Sequence, residues 1–197
     1  MADRVILHCD LNCFFASVEL LSHPEIQDLP VAVCGDPDSR HGIILAKNEP
    51  AKKLGVQTAE TIWQAKQKAP GLILLPPHHS LYREYSRKIN AIYGQYTDLV
   101  EPFGIDESWL DITGSMHLFG NDPKSIADGI RNRIREEFGL TLSVGVSFNK
   151  FFAKLGSDMK KPDGTTVIVP ERVEQMIWPL PVCDLLYVGP ATFHALR

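Results

Sequence analysis

The chain has 197 residues, of which 44% are hydrophobic and 22% are charged, a composition typical of a soluble globular protein. Its 20 basic and 24 acidic residues give a net charge of −4, which argues mildly against a nucleic-acid binder because phosphate contacts favour basic surfaces. Any such binding must depend on local charge placement or on parts that this chain does not include. The N-terminal apolar run at 5–7 is too short for a signal peptide or a membrane span, so we predict a cytoplasmic protein without a membrane partner.

The cysteines and histidines do not have the spacing of a metal site. The four cysteines form no CxxC pair, and three of them lie in apolar runs, which predicts buried reduced thiols. His78 and His79 are adjacent, and neighbouring residues of a helix point in different directions, so this pair does not indicate zinc.

The first part of the chain predicts short strands and helices separated by turn residues. A buried strand over 4–9 leads to Asp10, and the helix that follows, over 13–21, is expected to begin with Asn12 or Ser17 as its cap. The later elements predicted here are a strand over 31–34, a turn over 35–39, a hairpin partner over 42–46, helices over 48–54 and 59–68, and a strand over 72–75.

The second part of the chain contains two longer helices. One has an apolar face formed by Leu81, Tyr85, Ile89, Ile92 and Tyr96, whose spacing of three and four residues is that of a helix. The other elements predicted here are a hairpin of strands 99–103 and 108–112, a helix that begins at 122–123, a strand over 142–146, a helix over 149–159, a turn over 161–164 and a strand over 165–169.

The order of these elements predicts the fold class. If residues 20–76 are left out, the order is strand, helix, strand, strand, helix, strand, which is the ferredoxin-like arrangement of an antiparallel sheet with two helices on one face. The residues left out would form a small inserted subdomain. We therefore predict an α+β protein.

Three acidic residues are predicted to meet at one edge of this sheet. Asp10 ends the first core strand, and Asp106 and Glu107 lie at the turn of the central hairpin, on a neighbouring strand. Carboxylates are the ligands that Mg²⁺ prefers, and two such ions can promote an in-line phosphoryl displacement. The alternative is that Asp10 caps a helix and that the other two are ordinary turn residues.

Three sequence blocks resemble those of the Y-family translesion DNA polymerases, most closely the DNA polymerase IV group. They are DLNCFFASVE at 10–19, GIDESWLD at 104–111, and VGVSFNK at 144–150 with its continuation to DMKKPDG at 158–164. The resemblance covers nearly the whole chain and implies template-directed DNA synthesis across damaged bases, by nucleotidyl transfer from a dNTP to a primer 3′-hydroxyl. It implies a palm at 1–20 and 76–168, fingers at 21–75 and the start of a helical thumb at 169–197.

The resemblance also implies which residues form the metal site. Asp10 and Asp106 would bridge two Mg²⁺ ions, and Glu107 would bind the ion that activates the primer 3′-hydroxyl. The main-chain carbonyl of Leu11 would be a further ligand.

A second set of residues is implied to contact the nucleotide. Cys13, Phe14 and Phe15 would line its site, with Phe15 as a steric gate whose ring occupies the space that a ribonucleotide's 2′-hydroxyl needs. Without the resemblance, Phe15 would be an ordinary core aromatic. Lys161 would bind the triphosphate, and its alternative is a solvated turn lysine. Weaker candidates for phosphate contact, which could equally be solvated helix charges, are Lys150, Lys154 and Lys160.

The implied fingers helix departs from the family pattern. Where the family has Ser or Thr, Tyr and Arg, this chain has Ala46, Glu49 and Lys52. Lys52 remains a candidate for binding the triphosphate but lacks the bidentate fork of arginine. Glu49 would repel a triphosphate unless it turns away or pairs with Lys52 or Lys53.

The C-terminal part resembles the family's thumb. Residues 187–192 resemble its helix-hairpin-helix, whose backbone N–H groups bind DNA phosphate, although Tyr187 stands where glycine is frequent. Because the sequence stops at Arg197 within a predicted helix, we expect the chain to be part of a longer protein. Primer-template DNA and dNTP are the implied partners, with a sliding clamp bound through a C-terminal region outside this chain.

Two other functions remain open at this stage. A nucleotidyl cyclase uses a similar palm and two metals, but it needs neither the Phe15 gate nor the hairpin at 187–192. A non-catalytic scaffold bound to DNA would agree with the altered fingers helix, but such relatives are expected to lose the metal carboxylates, all of which are present here.

Overall fold

The computed structural model describes residues 4–36 and 42–195. They form two compact units, one of Met1–Asn12 with Lys88–Arg197 and one of Cys13–Arg87. We refer to these as the palm unit and the inserted unit. The predicted turn over 35–39 and the end of the predicted last helix extend outside the described residues. The functional boundaries of palm, fingers and thumb stay a prediction.

Eight strands and eight α-helices occur in the described residues. The strands are β1 (Ile6–Leu11), β2 (Val31–Cys34), β3 (Ile44–Lys47), β4 (Ile73–Leu75), β5 (Val100–Pro102), β6 (Glu107–Asp111), β7 (Leu142–Ser147) and β8 (Thr165–Ile168). The helices are α1 (Phe14–Leu20), α2 (Glu49–Lys53), α3 (Ile62–Lys68), α4 (His79–Tyr93), α5 (Pro123–Phe138), α6 (Lys150–Met159), α7 (Val173–Met176) and α8 (Pro190–Ala195). Among them, no helix has both the length and the apolar character needed to span a bilayer.

The palm unit contains a five-stranded sheet in the order β5-β6-β1-β7-β8. β1 lies in the centre and pairs antiparallel with both β6 and β7. The first four strands have the predicted ferredoxin-like order. β8 extends the sheet by pairing parallel with β7, so one edge of an otherwise antiparallel sheet ends in a parallel pair.

Helices cover both faces of this sheet. Alternation along β1 places Cys9 on one face and His8 on the other. Cys9 contacts Tyr93 at the end of α4, and α5 packs on β7 and β8 with buried isoleucines, so these two helices lie on the Cys9 face, as predicted. On the His8 face, α6 packs against β1, β7 and β8. The polar end of β1 therefore lies beside α6.

The inserted unit has its own small sheet and core. β2 pairs antiparallel with β3 and parallel with β4, and the hydrophobic core lies between this sheet and α2 and α3. Asn48 begins α2 by accepting a hydrogen bond from the main-chain N–H of Ala51. The same Asn48 oxygen accepts from the N–H of Val31, which ties the helix start to β2.

The predicted start of the first helix is wrong. Cys13, with φ of 49°, precedes α1, and no side chain caps the helix. Asn12 is unavailable because its amide group donates to Ser143 Oγ at 3.0 Å and its carbonyl accepts from the N–H of Asp163 at 2.8 Å. Ser17 lies within the helix, where its N–H donates to the carbonyl of Cys13.

Two smaller expectations were met only in part. α4 ends at Tyr93, so Tyr96 lies beyond the helix and packs against Phe119, with ring centroids 4.9 Å apart. Cys9 and Cys34 are buried as predicted, whereas Cys183 is exposed.

Gly145 on β7 permits the close approach of α6. A Cβ at this position would lie 1.8 Å from the carbonyl oxygen of Ala153 and 2.5 Å from the main-chain nitrogen of Ser157. Both atoms belong to the backbone of α6, which cannot move away as a flexible side chain can. The separation between β7 and α6 therefore requires glycine.

We predict that Gly145→Ala lowers the free energy of unfolding by about 3 kcal/mol or more, because the sheet and α6 must separate. The control is Gly129→Ala on the exposed side of α5, where an added Cβ meets no atom within 4 Å. That change should raise stability by about 0.5–1 kcal/mol, since alanine is the better helix former. Urea unfolding measures both variants, and equal effects in the two would contradict the packing argument.

Candidate active site

The register of β1 against β6 brings the predicted carboxylates together. Asp10 is the direct antiparallel partner of Glu107. The N–H of Leu11 donates to the carbonyl of Asp106 at 3.0 Å, which continues the pairing to the residue before β6 begins. Asp10, Asp106 and Glu107 are thus held at one edge of the sheet by main-chain hydrogen bonds, where the sequence predicts them, and their role as metal ligands stays a prediction.

The closest grouping includes a residue that the sequence analysis missed. In the described residues, ligand atoms of His8, Asp10 and Glu107 all lie within 4.8 Å of one another, whereas the Asp106 carboxylate is outside this group. His8 is fully buried, and its Nε2 atom lies 3.1 Å from Glu107 Oε2. The contact is electrostatic but lacks the alignment of a hydrogen bond, so both atoms retain unused hydrogen-bonding capacity.

His8 is held on its other side by α6. Its Nδ1 atom is 2.9 Å from Ser157 Oγ, which also donates to the carbonyl of Lys154 at 2.7 Å. His8 shares a face of β1 with Asp10 because side chains alternate along a strand. His8 lies two residues before Asp10 in a buried strand, and this spacing is the sequence signal that could have identified it.

Two lysines neutralise part of the negative charge. Lys154 Nζ, on α6, lies 3.0 Å from Asp10 Oδ2 and 3.2 Å from Glu107 Oε2. Lys161 Nζ lies 2.6 Å from the same Asp10 oxygen. Both lysines also pair with Asp158. Lys154 and Lys161 are thus paired with carboxylates, and their predicted contact with phosphate stays a prediction.

Lys150 has a different position from these two lysines. Its ammonium group pairs with Glu101 and lies 5.2 Å from the centre of the Trp109 ring. The pairing with Glu101 joins α6 to β5, away from the oxygen of Asp10 that the other lysines share.

The carboxylates have opposite protonation tendencies. Burial, then the charges of Asp10 and Glu107, raises the pKa of Asp106 to about 6. Burial alone would also raise the pKa of Glu107, but its contact with His8 and the charge of Lys154 outweigh burial and lower it. Glu107 therefore stays ionised, and the repulsion among the neighbouring carboxylates raises the pKa of Asp106 instead.

The lysine at the centre of the site is held in its charged form. Burial alone would lower the pKa of Lys154, but the charges of Asp10, Asp158 and Glu107 outweigh burial and raise it. The same competition raises the pKa of Lys161, mainly through Asp10. Both residues therefore supply permanent positive charge at neutral pH.

The residues fit a divalent cation. A carboxylate pair on adjacent strands, a third carboxylate with a raised pKa and a Glu107 oxygen with unused hydrogen-bonding capacity form an electron-rich site of hard ligands. A cation there would relieve the repulsion that raises the pKa of Asp106.

The predicted nucleotide-contacting aromatics lie in the inserted unit. The half-buried ring of Phe15 stacks on Tyr82, with centroids 4.1 Å apart and planes at 12°. The edge of His79 packs against the same ring at 5.8 Å, and the neighbouring Phe14 is buried. Phe15 is therefore held between aromatic partners, which limits the rotation of its side chain.

A buried polar network anchors Tyr82, and the sequence analysis missed it. The Tyr82 hydroxyl donates to Glu19, a buried carboxylate. His78 lies 2.9 Å from the other Glu19 oxygen through Nδ1, and its N–H also donates to Glu19. Glu19 is about 60 positions from both His78 and Tyr82 in the sequence, so no local spacing links it to them.

Two of the residues that depart from the family pattern, Glu49 and Lys52, form a local cluster with Cys13. Lys52 Nζ lies 3.3 Å from Glu49 Oε1, so Glu49 pairs with Lys52, one of the two partners considered. The thiol of Cys13 donates to the same oxygen at 3.5 Å. Burial, followed by the charge of Glu49, raises the pKa of Cys13 to about 11, so its thiol stays protonated.

The backbone at Tyr187 adopts the left-handed conformation that glycine favours. Tyr187, where glycine is frequent in the family, adopts a φ of 68° in the left-handed region. Its side chain is largely exposed and packs edge-on against Phe103 and Phe151. The strained backbone conformation is therefore kept with tyrosine, and α8 follows directly.

Comparison with known proteins identifies the family. The model of the impB/mucB/samB family matches residues 9–158. The chain belongs to this family. The match includes Asp10, Asp106 and Glu107.

The relatives that the chain matches are named as DNA polymerases. The chain is 60% identical to DNA polymerase IV of Acetivibrio thermocellus over 98% of its own length and 48% of the relative's, and 41% identical to DNA polymerase IV 1 of Bacillus subtilis over 98% and 46%. Among solved structures, DinB from Sulfolobus solfataricus is similar with a TM-score of 0.88 and 30% identity, over 98% of this chain and 56% of that one. The insertion ternary complex of Dbh DNA polymerase matches with a TM-score of 0.86 and 29% identity, over 95% and 55%.

These matches confirm the predicted resemblance to Y-family polymerases, most closely DNA polymerase IV, and the predicted fold class. The chain spans about half the length of the curated relatives it matches.

The raised pKa of Asp106 generates a prediction about stability. The pKa of Asp106 is about 6 in the folded chain against an ordinary 3.8, so the folded state binds this proton more tightly than the unfolded state. The proton on Asp106 therefore favours folding at low pH, and that contribution is lost as the pH rises through about 6. We predict that Asp106→Asn stabilises the metal-free chain by about 1–3 kcal/mol at pH 8 and by little at pH 4.

Denaturant unfolding in a chelator from pH 4 to pH 8 measures this difference. Asp98→Asn, an exposed acid on the same unit, is the control. A stability difference for Asp106→Asn that does not change with pH would contradict the assigned pKa.

Proposed function

We propose that this chain carries the catalytic centre of a template-directed translesion DNA polymerase, which transfers a nucleotide from a dNTP to a primer 3′-hydroxyl. The observation that carries the proposal is the direct pairing of Asp10 with Glu107 on adjacent strands, with Asp106 next in the chain. Family membership supports the same reaction.

In this proposal Asp10, Asp106, Glu107 and the carbonyl of Leu11 hold two Mg²⁺ ions. When bound, such ions lower the pKa of an attacking hydroxyl and neutralise the leaving pyrophosphate. The protein's part is to keep the ligands fixed before substrate arrives. The β1–β6 register and the contact of His8 with Glu107 support that role.

The triphosphate is proposed to bind Lys161, with Lys52 as a second contact. Lys161 extends from the turn before β8 to Asp10, so its ammonium group is available to a phosphate oxygen beside that carboxylate. Lys52 is half exposed and shares its charge with Glu49, which supports a weaker contribution.

Cys13, Phe14 and Phe15 are proposed to contact the nucleotide, with Phe15 as the sugar gate. A gate must be rigid to exclude one oxygen atom, and the Phe15 ring is stacked on the anchored ring of Tyr82. The Cys13 thiol, which burial and the charge of Glu49 keep protonated, is a neutral neighbour for a sugar or phosphate group.

Primer-template DNA is the proposed macromolecular partner. The exposed hairpin at Tyr187, followed by α8, supports contact with DNA phosphate. A sliding clamp bound through sequence outside this chain and a cytoplasmic location remain part of the proposal.

Loss of one bridging carboxylate is the first test of the proposal. We expect Asp106→Ala to lower the rate of single-nucleotide primer extension with Mg²⁺ by about a thousandfold or more, since electrostatic stabilisation of the transferred phosphoryl group is lost. The matched control is Asp98→Ala, which should retain the rate of the unchanged chain. Extension at the normal rate by Asp106→Ala would contradict the proposed function.

Removal of the proposed gate is the second test. Phe15→Ala should raise the ratio of kcat/KM for ribonucleotide over deoxyribonucleotide by about tenfold to a hundredfold, because the 2′-hydroxyl then has room. Phe119→Ala, a partly exposed aromatic in the other unit, is the control and should leave the ratio unchanged. An unaltered ratio in Phe15→Ala would show that this ring does not select the sugar.

A further inference from the structure

The turn that carries Lys161 is held by residues far from the carboxylates in sequence. We call residues 161–164, between α6 and β8, the Lys161 turn. Lys161 begins it and extends to Asp10 and Asp158, at 2.6 and 2.9 Å. Asp163, two residues later, is bonded to Arg131 of α5 and to Asn12 at the end of β1. The position of the lysine therefore depends on what fixes Asp163.

Arg131 of α5 uses all three nitrogens of its guanidinium group in hydrogen bonds, and one of these nitrogens contacts the turn. One terminal nitrogen donates to Asp163 Oδ1 at 2.7 Å and also to the carbonyl of Asp163. The other donates to Asp128 Oδ1 at 3.0 Å, and Nε donates to the carbonyl of Leu142 on β7 at 3.3 Å. The Arg131 side chain is only 13% exposed. A planar fork satisfied on each side fixes the turn against both α5 and the sheet.

Asp163 is fixed from a second direction by the end of β1. Its N–H donates to the side-chain carbonyl of Asn12 at 2.8 Å, and Asn12 lies two residues after Asp10. The other Asp163 oxygen pairs with Arg135. Asp163 adopts a φ of 54°, a conformation that aspartate and asparagine tolerate better than most residues. The turn is thus tied to the same strand that carries the catalytic carboxylate.

An ordinary surface ion pair would not have this arrangement. Exposed pairs contribute little and leave their side chains mobile. Here Asp163 is 25% exposed and uses both carboxylate oxygens, its N–H and its carbonyl. By contrast, Arg133 on the same helix pairs with Glu137 and donates to Gln95 at 2.8 Å, and neither contact reaches the Lys161 turn. The contacts of Asp163 define the path of the backbone that leads to Lys161.

We propose that Asp163, clamped by Arg131, is a positioning residue that holds Lys161 for binding the triphosphate of the incoming nucleotide. This inference rests on the proposed function of Lys161 as the triphosphate ligand. Asp163 itself touches no substrate. It acts by restricting the Lys161 turn, so that the ammonium group does not lose conformational freedom each time a phosphate binds.

The test is a double-mutant cycle on nucleotide binding in this chain. Calorimetry with Mg²⁺ measures the Kd of a dNTP, and of inorganic triphosphate as a probe without base or sugar. Lys161→Met should weaken both by about tenfold, the loss of a charged hydrogen bond. Asp163→Asn, which keeps the backbone preference but removes the charge, should weaken both by about three- to tenfold.

The decisive variant combines the two changes. Because Asp163 acts through Lys161, the double variant should bind no more weakly than Lys161→Met alone. Arg131→Lys, which keeps the charge but loses the planar fork, should reproduce the effect of Asp163→Asn. The matched control is Glu137→Gln, which breaks an arginine–carboxylate pair on the same helix and should leave both Kd values unchanged. Thermal unfolding of each variant confirms that it is folded.

The outcomes separate this inference from the function on which it rests. If Lys161→Met weakens binding while Asp163→Asn and Arg131→Lys do not, the positioning role is wrong and the triphosphate role stands. Additive losses in the double variant would also overturn it, because Asp163 would then act independently of Lys161. If Lys161→Met binds both probes normally, the proposed role of Lys161 fails first and the inference fails with it.

Discussion

The site depends on holding carboxylates closer together than their charges favour. Main-chain pairing of β1 with β6 places Asp10 opposite Glu107, and the hydrogen bond from Leu11 to Asp106 adds the third acid. A slip of one residue in this register would turn each side chain to the other face of the sheet. The backbone of the sheet, rather than any side-chain contact, therefore sets the geometry. The neighbouring ammonium groups offset part of the repulsion among the carboxylates.

Of the two cations, Lys154 lies on α6 and Lys161 lies in the turn that follows this helix. α6 supplies Lys154 directly, supplies Ser157 to hold His8, and leads into the turn that carries Lys161. Its backbone can lie this close only because residue 145 on β7 has no side chain. The electrostatics of the site thus depend on a packing feature: without the close approach of α6, neither the Lys154 ammonium group nor the support for His8 would reach the carboxylates.

Local patterns in the sequence were enough to predict most elements of the fold and the carboxylate site. Buried strands and the stripe along α5 have strong periodicity, and Asp10 and Glu107 follow from strand order once the sheet is assumed. The polar partners could not be predicted in this way, because His8 and Ser157 are 149 positions apart and Arg131 and Asp163 are 32 apart. Their pairing is decided by tertiary packing. The same reason explains the wrong helix cap, since Asn12 bonds to distant residues instead of to α1.

In the proposed function, the pairing of Glu49 with Lys52 makes Lys161 the main triphosphate ligand. Glu49 and Lys52 form a partly exposed pair, and such pairs contribute only about 0–1 kcal/mol, so Lys52 can leave Glu49 at small cost. Glu49 remains in place when Lys52 moves away, so its repulsion of a phosphate offsets the attraction that Lys52 offers. The turn that carries Lys161 is instead fixed by Arg131 and Asn12. A charge whose position is fixed before the ligand arrives binds it with less loss of entropy, so the proposal expects Lys161 to be the stronger of the two ligands.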